Sequence, residues 1–143
     1  MSEVTDFTKM GLAIGHLGRQ LENLRVAGNR VELSDLDREA IRESVIQRFE
    51  TAYDVTWKTL RRVLNEQYGV PELPNSPKPI LRIAGENGLL PGSVAEWIAL
   101  ADARTATAHD YDLAKAEQTV LAAHEFHRLA EPLIAKLIGG PQS

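Results

Sequence analysis

Three residues of the segment RTATAHDY at positions 104–111 are of types that can act together chemically: Arg104, His109 and Tyr111. Arginine carries a permanent cation that can hold a phosphate group, and histidine titrates near neutral pH. A cation and an acid–base group in one cleft can stabilise charge and transfer protons at a phosphodiester. The segment therefore predicts a site for phosphate chemistry, provided that the fold directs both side chains into the same cleft.

The same residues also have a purely structural interpretation, which their spacing alone leaves open. Arg104 would then donate to the last carbonyls of its own helix, and His109 would lie near the N-terminus of the next helix. The acids Asp102 and Asp110 lie beside the Arg and the His in either case.

Helical patterns flank this segment, so the candidate site should lie at a junction between two helices. Apolar residues recur at helical spacing through most of the chain, and no alternating strand pattern is found. The second helix carries an apolar stripe that is too broad for a surface helix and suits the centre of a bundle. The sequence predicts an all-α, up-and-down helical bundle of about five helices in one domain, 1–143. The expected helices cover about 6–23, 35–68, 77–87, 93–104 and 112 onward, with Pro132 expected to kink or interrupt the last one.

Composition narrows the class of protein. The 143 residues are 43% hydrophobic and 25% charged, as in an ordinary soluble globular domain. There is no cysteine, which excludes disulfides, thiol nucleophiles and cysteine-based metal sites. No apolar run approaches the length of a membrane span, and the N-terminus does not resemble a signal peptide, so we expect a cytoplasmic protein without a membrane partner. The formal charge of −4 argues against a long track for nucleic-acid phosphates.

Two other groups of polar residues have spacings that could form sites. His124 and His127 are spaced i, i+3, as metal ligands can be, but no second acidic-His helix complements them, and we expect neither a metal nor another cofactor. Glu50 and Asp54 are spaced i, i+4 and could act as paired carboxylates. A polar helix edge with ion pairs to Arg48 or Lys58 is the preferred interpretation.

Assembly is predicted from the first two helices. Gly11, Gly15 and Gly18 recur every three or four residues and form a face that another helix can approach closely. Together with the broad apolar stripe of the second helix, this face suits a core that continues across a two-fold axis. We expect a homodimer.

The second predicted helix also carries a family resemblance. Its runs ESVIQRFE (43–50) and YDVTWKTL (53–60) resemble the central-helix signature of the nucleotidyltransferase substrate-binding family, within the HEPN superfamily. HepT-like members of that superfamily carry an Arg-x4-His-x-Tyr motif, which corresponds here to Arg104, His109 and Tyr111. The similarity covers about residues 40–115. Between the two signatures, Ser76-Pro77-Lys78, Gly88-Leu89-Leu90 and Trp97 follow in family-like order.

The resemblance implies the toxin of a toxin–antitoxin pair, a homodimer encoded beside a minimal nucleotidyltransferase that acts as its antitoxin. It implies a metal-independent ribonuclease in which Arg104 and His109 are catalytic and help a ribose 2′-OH attack the adjacent phosphate of an RNA substrate. It further implies that the partner silences the toxin by adding AMP to Tyr111. We expect Thr105 and Asp110, beside Arg104 and His109, to be supporting residues of this site.

One position departs from the family pattern and supports a different function. The residue after the motif Arg is commonly Asn or another strongly polar residue, whereas this chain has Thr105, which lacks the donor–acceptor pair of an amide. The negative charge and the absence of an independent nucleotide-binding motif point the same way. The alternative is a non-catalytic substrate-binding subunit of a nucleotidyltransferase.

Overall fold

The computed structural model describes residues 5–106 and 112–140, and it contains five α-helices and no strand within those ranges. The all-α, up-and-down bundle predicted from the sequence is confirmed. No helix in the described part of the chain is long and apolar enough to cross a membrane. The helices are α1 (Thr8–Ala27), α2 (Asp35–Glu66), α3 (Pro77–Glu86), α4 (Val94–Ala106) and α5 (Leu113–Gly139).

Helix α2 is the central element, because the four other helices all pack against it. It has 32 residues and is therefore about 48 Å long. A capping box fixes its start: the Asp37 amide donates to the Ser34 hydroxyl at 3.1 Å, and the Ser34 amide donates to the Asp37 carboxylate at 2.9 Å. The helix therefore begins at Asp35, where the sequence predicts its start.

The core is centred on an aromatic side chain from the last helix. Phe126 of α5 is fully buried, and its ring lies 5.7 Å from that of Phe49, 6.2 Å from that of Tyr53 and 6.1 Å from that of Trp97. Phe49 and Tyr53 belong to α2 and Trp97 to α4, so one residue joins three helices. Trp97 is fixed in turn because its indole N–H donates to the carbonyl of Pro91 at 2.8 Å.

The glycine face of α1 receives α5 of the same chain. A Cβ atom added to Gly18 would lie 2.6 Å from Nε2 of His127, and one added to Gly11 would lie 3.4 Å from Cδ1 of Ile134. The predicted close-packing face is therefore used within the chain at these two positions. The homodimer stays a prediction.

Pro132 does not interrupt α5, so the predicted interruption was wrong, while the alternative of a kink stays a prediction. The helix continues to Gly139, with Pro132 on its exposed side. Proline removes one backbone hydrogen bond of the helix, but Leu133 and Leu137 beyond it are buried in the core. Burial of these side chains holds the last turns in place despite the missing bond.

Candidate functional site

Arg104 lies in the last turn of α4 and directs its guanidinium towards α2. Its Nη1 atom is 2.9 Å from Oε2 of Glu50, and its Nη2 atom is 3.1 Å from Oδ2 of Asp54. The two acids are one helical turn apart and therefore share a face of α2. We expected these acids to pair with Arg48 or Lys58, and that prediction was wrong, since the cation comes from a helix fifty residues away in sequence.

A cleft of about 340 Å³ opens beside this ion cluster. Helix α2 forms one wall, and α4 and the first residue of α3 form the other. The lining combines two aromatic rings, two cations, a carboxylate and two hydroxyl groups, which is a set that can hold a charged ligand with an apolar part. The lining residues are Tyr53, Asp54, Trp57, Lys58, Pro77, Ala101, Arg104 and Thr105.

Tyr53 contributes a buried hydroxyl to this wall. The residue is 1% exposed, and its hydroxyl has no hydrogen-bond partner among the described residues. Burial raises the pKa of Tyr53 above its ordinary value, and the negative charges of Asp54 and Asp102 raise it further. Tyr53 is therefore a neutral phenol at physiological pH and a potential donor.

The polar residues next to Arg104 on α4 have defined partners. The Thr105 hydroxyl donates to the carbonyl of Ala101 at 3.1 Å, so its single hydrogen is engaged within the helix. Asp102 forms an ion pair with Lys78 of α3.

The remaining predicted site residues, His109, Asp110 and Tyr111, lie outside the described residues. The structure resumes at Asp112, which caps α5 by accepting a hydrogen bond from the Lys115 amide at 2.7 Å. The predicted opening of the last helix at Asp112 is confirmed. A shared cleft for Arg104 and His109 stays a prediction.

Comparison with known proteins places this geometry in a family. The family model described as "Nucleotidyltransferase substrate binding protein like" matches residues 5–138, nearly the whole chain. The chain belongs to this family. A crystal structure of the protein ttk003001694 from Thermus thermophilus is similar, with 28% sequence identity and a TM-score of 0.64, over 85% of this chain and 98% of that one. A comparison with curated proteins finds no match.

For this nucleotidyltransferase substrate-binding-like protein, the histidines weighed as metal ligands have other surroundings. His127 packs against Gly18, and its Nε2 atom is 3.2 Å from Oε1 of Glu131. His124 is exposed on the same helix. Within residues 5–106 and 112–140, no group of three or more His, Cys, Asp or Glu side chains is placed to hold a metal ion.

Sequence reasoning missed most of the cleft of this family member. The spacing of Tyr53 and Trp57 assigns them to the apolar stripe of α2, and Lys58 falls on its polar edge, so the sequence predicts no site at these residues. The available signal was the pair Glu50 and Asp54, because two acids one turn apart on a central helix need a cation to offset their repulsion. That signal indicates that a cation is close, but it does not identify Arg104.

Proposed function

We propose that this chain works with a nucleotidyltransferase as its substrate-binding partner, and that the cleft beside Arg104 receives the phosphate-bearing part of the substrate. The observation that carries the proposal is the cleft itself, which has Arg104 and Lys58 for a phosphate and Trp57 beside them for an apolar or planar group. Its volume of about 340 Å³ is at the lower end of the range of small-molecule sites, about 300–1,000 Å³. A small substrate therefore fits better than a long nucleic-acid track, in agreement with the charge of −4. Membership of the family supports association with a nucleotidyltransferase.

The test is reconstitution with the nucleotidyltransferase that we expect to be encoded beside this chain. The two proteins should co-purify, and nucleotidyl transfer to the substrate should depend on this chain. Lys58→Ala should raise the KM for the substrate about tenfold, since about 1.4 kcal/mol of binding corresponds to that factor. Lys9→Ala is the matched control, because Lys9 is also an exposed lysine and lies on α1, away from the cleft. Failure to co-purify, or equal KM values for the two variants, would contradict the proposal.

A second candidate is the ribonuclease toxin of a HEPN/minimal-nucleotidyltransferase pair. The observation that favours it is the place of Arg104, whose cation reaches a cleft at the end of α4, five residues before His109 in the sequence. In this proposal His109 is the general acid–base group for attack of the 2′-OH on phosphorus and departure of the 5′-oxygen. Arg104 stabilises the added negative charge of the phosphorane. A homodimer would bring two such motifs to one cleft.

Tyr111 is the proposed acceptor of AMP in this pair. Its phenol oxygen would attack the α-phosphorus of ATP, forming the O–P bond while the α–β anhydride bond breaks, pyrophosphate leaves and solvent takes up the phenolic proton. The new phosphate would compete for Arg104 and obstruct the site. After incubation with the partner and ATP, intact mass should increase by one AMP per chain. Tyr111→Phe should abolish the increase and Tyr68→Phe should preserve it; an increase that survives Tyr111→Phe would place the acceptor elsewhere.

A further inference from the structure

The guanidinium of Arg104 is held from α2 at both of its terminal nitrogens. Nη1 contacts Glu50 at 2.9 Å and Nη2 contacts Asp54 at 3.1 Å. The same two nitrogens provide the parallel hydrogen bonds with which an arginine grips a phosphate. Each terminal nitrogen carries two N–H groups, but the guanidinium has a single positive charge. A phosphate that enters the cleft therefore competes with the two carboxylates for that charge.

Coexistence of the phosphate and both carboxylates at Arg104 is electrostatically unfavourable. Two carboxylates already exceed the charge of one guanidinium, and a phosphate would add at least one further negative charge within a few ångströms. The contacts can be broken, because the side chains of Arg104, Glu50 and Asp54 are 27%, 29% and 38% exposed and water can solvate the released groups.

We propose that Glu50 and Asp54 form a latch on Arg104 that a phosphate must displace in order to bind. They are positioning residues, because they hold the guanidinium at the cleft. They also lower the affinity of the cleft for anions, so that strongly charged phosphate groups bind in preference to weakly charged ligands. The proposal rests on the proposed function only in assigning the substrate phosphate to this cleft. Its basis is the competition between two carboxylates and an anion for one guanidinium.

Calorimetric titration of the full chain with inorganic pyrophosphate tests the latch. The variant Glu50→Gln/Asp54→Asn keeps the shapes of both side chains and removes two negative charges. We expect it to bind pyrophosphate at least about tenfold more tightly than the wild type. The control is Glu22→Gln/Glu125→Gln, which removes two negative charges from exposed pairs with Arg25 and Arg128 and should change the affinity less than about twofold.

The increase in affinity for pyrophosphate must depend on Arg104. Adding Arg104→Gln to the latch variant should abolish it, whereas a general effect of net charge would survive. Equal or weaker binding by the latch variant, no measurable binding by any variant, or a gain that persists without Arg104 would overturn the proposal. If the double variant fails to fold, as judged by circular dichroism, the single variant Asp54→Asn gives the same comparison at the more exposed acid.

The outcome is separable from that of the proposed function. If the latch variant binds pyrophosphate more tightly but the chain does not bind the nucleotidyltransferase, the latch is supported and the proposed partnership is contradicted. If the complex with the nucleotidyltransferase forms but the latch variant shows no increase in affinity for pyrophosphate, the partnership is supported and the latch is contradicted.

Discussion

Replacing Phe126 by alanine should lower the free energy of unfolding by about 3–5 kcal/mol, the usual cost of truncating a buried phenylalanine. Its ring is fully buried and contacts Phe49 and Tyr53 from α2 and Trp97 from α4. These neighbours are anchored on two separate helices, so they cannot collapse into the cavity without moving the backbone. The lost edge-to-face contacts add to the loss of buried area.

Chemical denaturation followed by circular dichroism measures this change. Leu121→Ala is the matched control on the same helix, because Leu121 is 66% exposed and its truncation should change stability by less than about 0.5 kcal/mol. A loss below about 1 kcal/mol for Phe126→Ala would mean that α5 does not supply the centre of the core.

Under the ribonuclease candidate, Arg104→Ala and His109→Ala should each lower the rate of RNA cleavage by about 10²–10⁴-fold. Arg104 would supply the charge that stabilises the phosphorane, and His109 would transfer the proton. Purified protein and a defined RNA give the rate, and growth after induction in the absence of the partner gives the toxicity. Both readouts should fall together.

Controls separate chemistry from folding in this experiment. Arg82→Ala and His124→Ala change exposed residues of the same types and should leave cleavage intact. Arg104→Lys is needed as well, because Arg104→Ala leaves the carboxylates of Glu50 and Asp54 facing each other and can destabilise the α2–α4 contact. Equal RNA integrity with wild type and all variants would reject the ribonuclease and leave the substrate-binding partner.

The fold could be predicted from local signals because those signals agree with the packing. The apolar stripe of α2, the capping box at Ser34 and the cap at Asp112 each specify an element within a few residues, and the structure has them there. Pro132 was the exception. Its local effect is unfavourable, but burial of Leu133 and Leu137 outweighs it, and burial is a tertiary quantity that spacing does not report.

The site was predictable only in part. Arg104 was selected from its type and spacing, and the structure does place it in a cleft. Its partners Glu50 and Asp54 could not be assigned, because an ion pair across fifty residues depends on the angle at which α4 crosses α2. Tyr53 and Trp57 were hidden by their hydrophobicity, since an aromatic residue that lines a cleft has the same helical spacing as one in the core.

The contacts of α5 with α1 have a mechanical consequence. His127 and Ile134 fit against Gly18 and Gly11, so the second half of α5 is seated at two points and cannot slide along α1 without leaving both. The first turns of α5 have less support: no residue of the helix before Thr119 is buried, and Leu113 is 58% exposed. The second half of α5 is thus fixed against α1, whereas its more exposed first turns adjoin residues 107–111 in the sequence. Because few of their side chains are buried, the first turns of α5 should unfold locally at a lower free-energy cost than its second half.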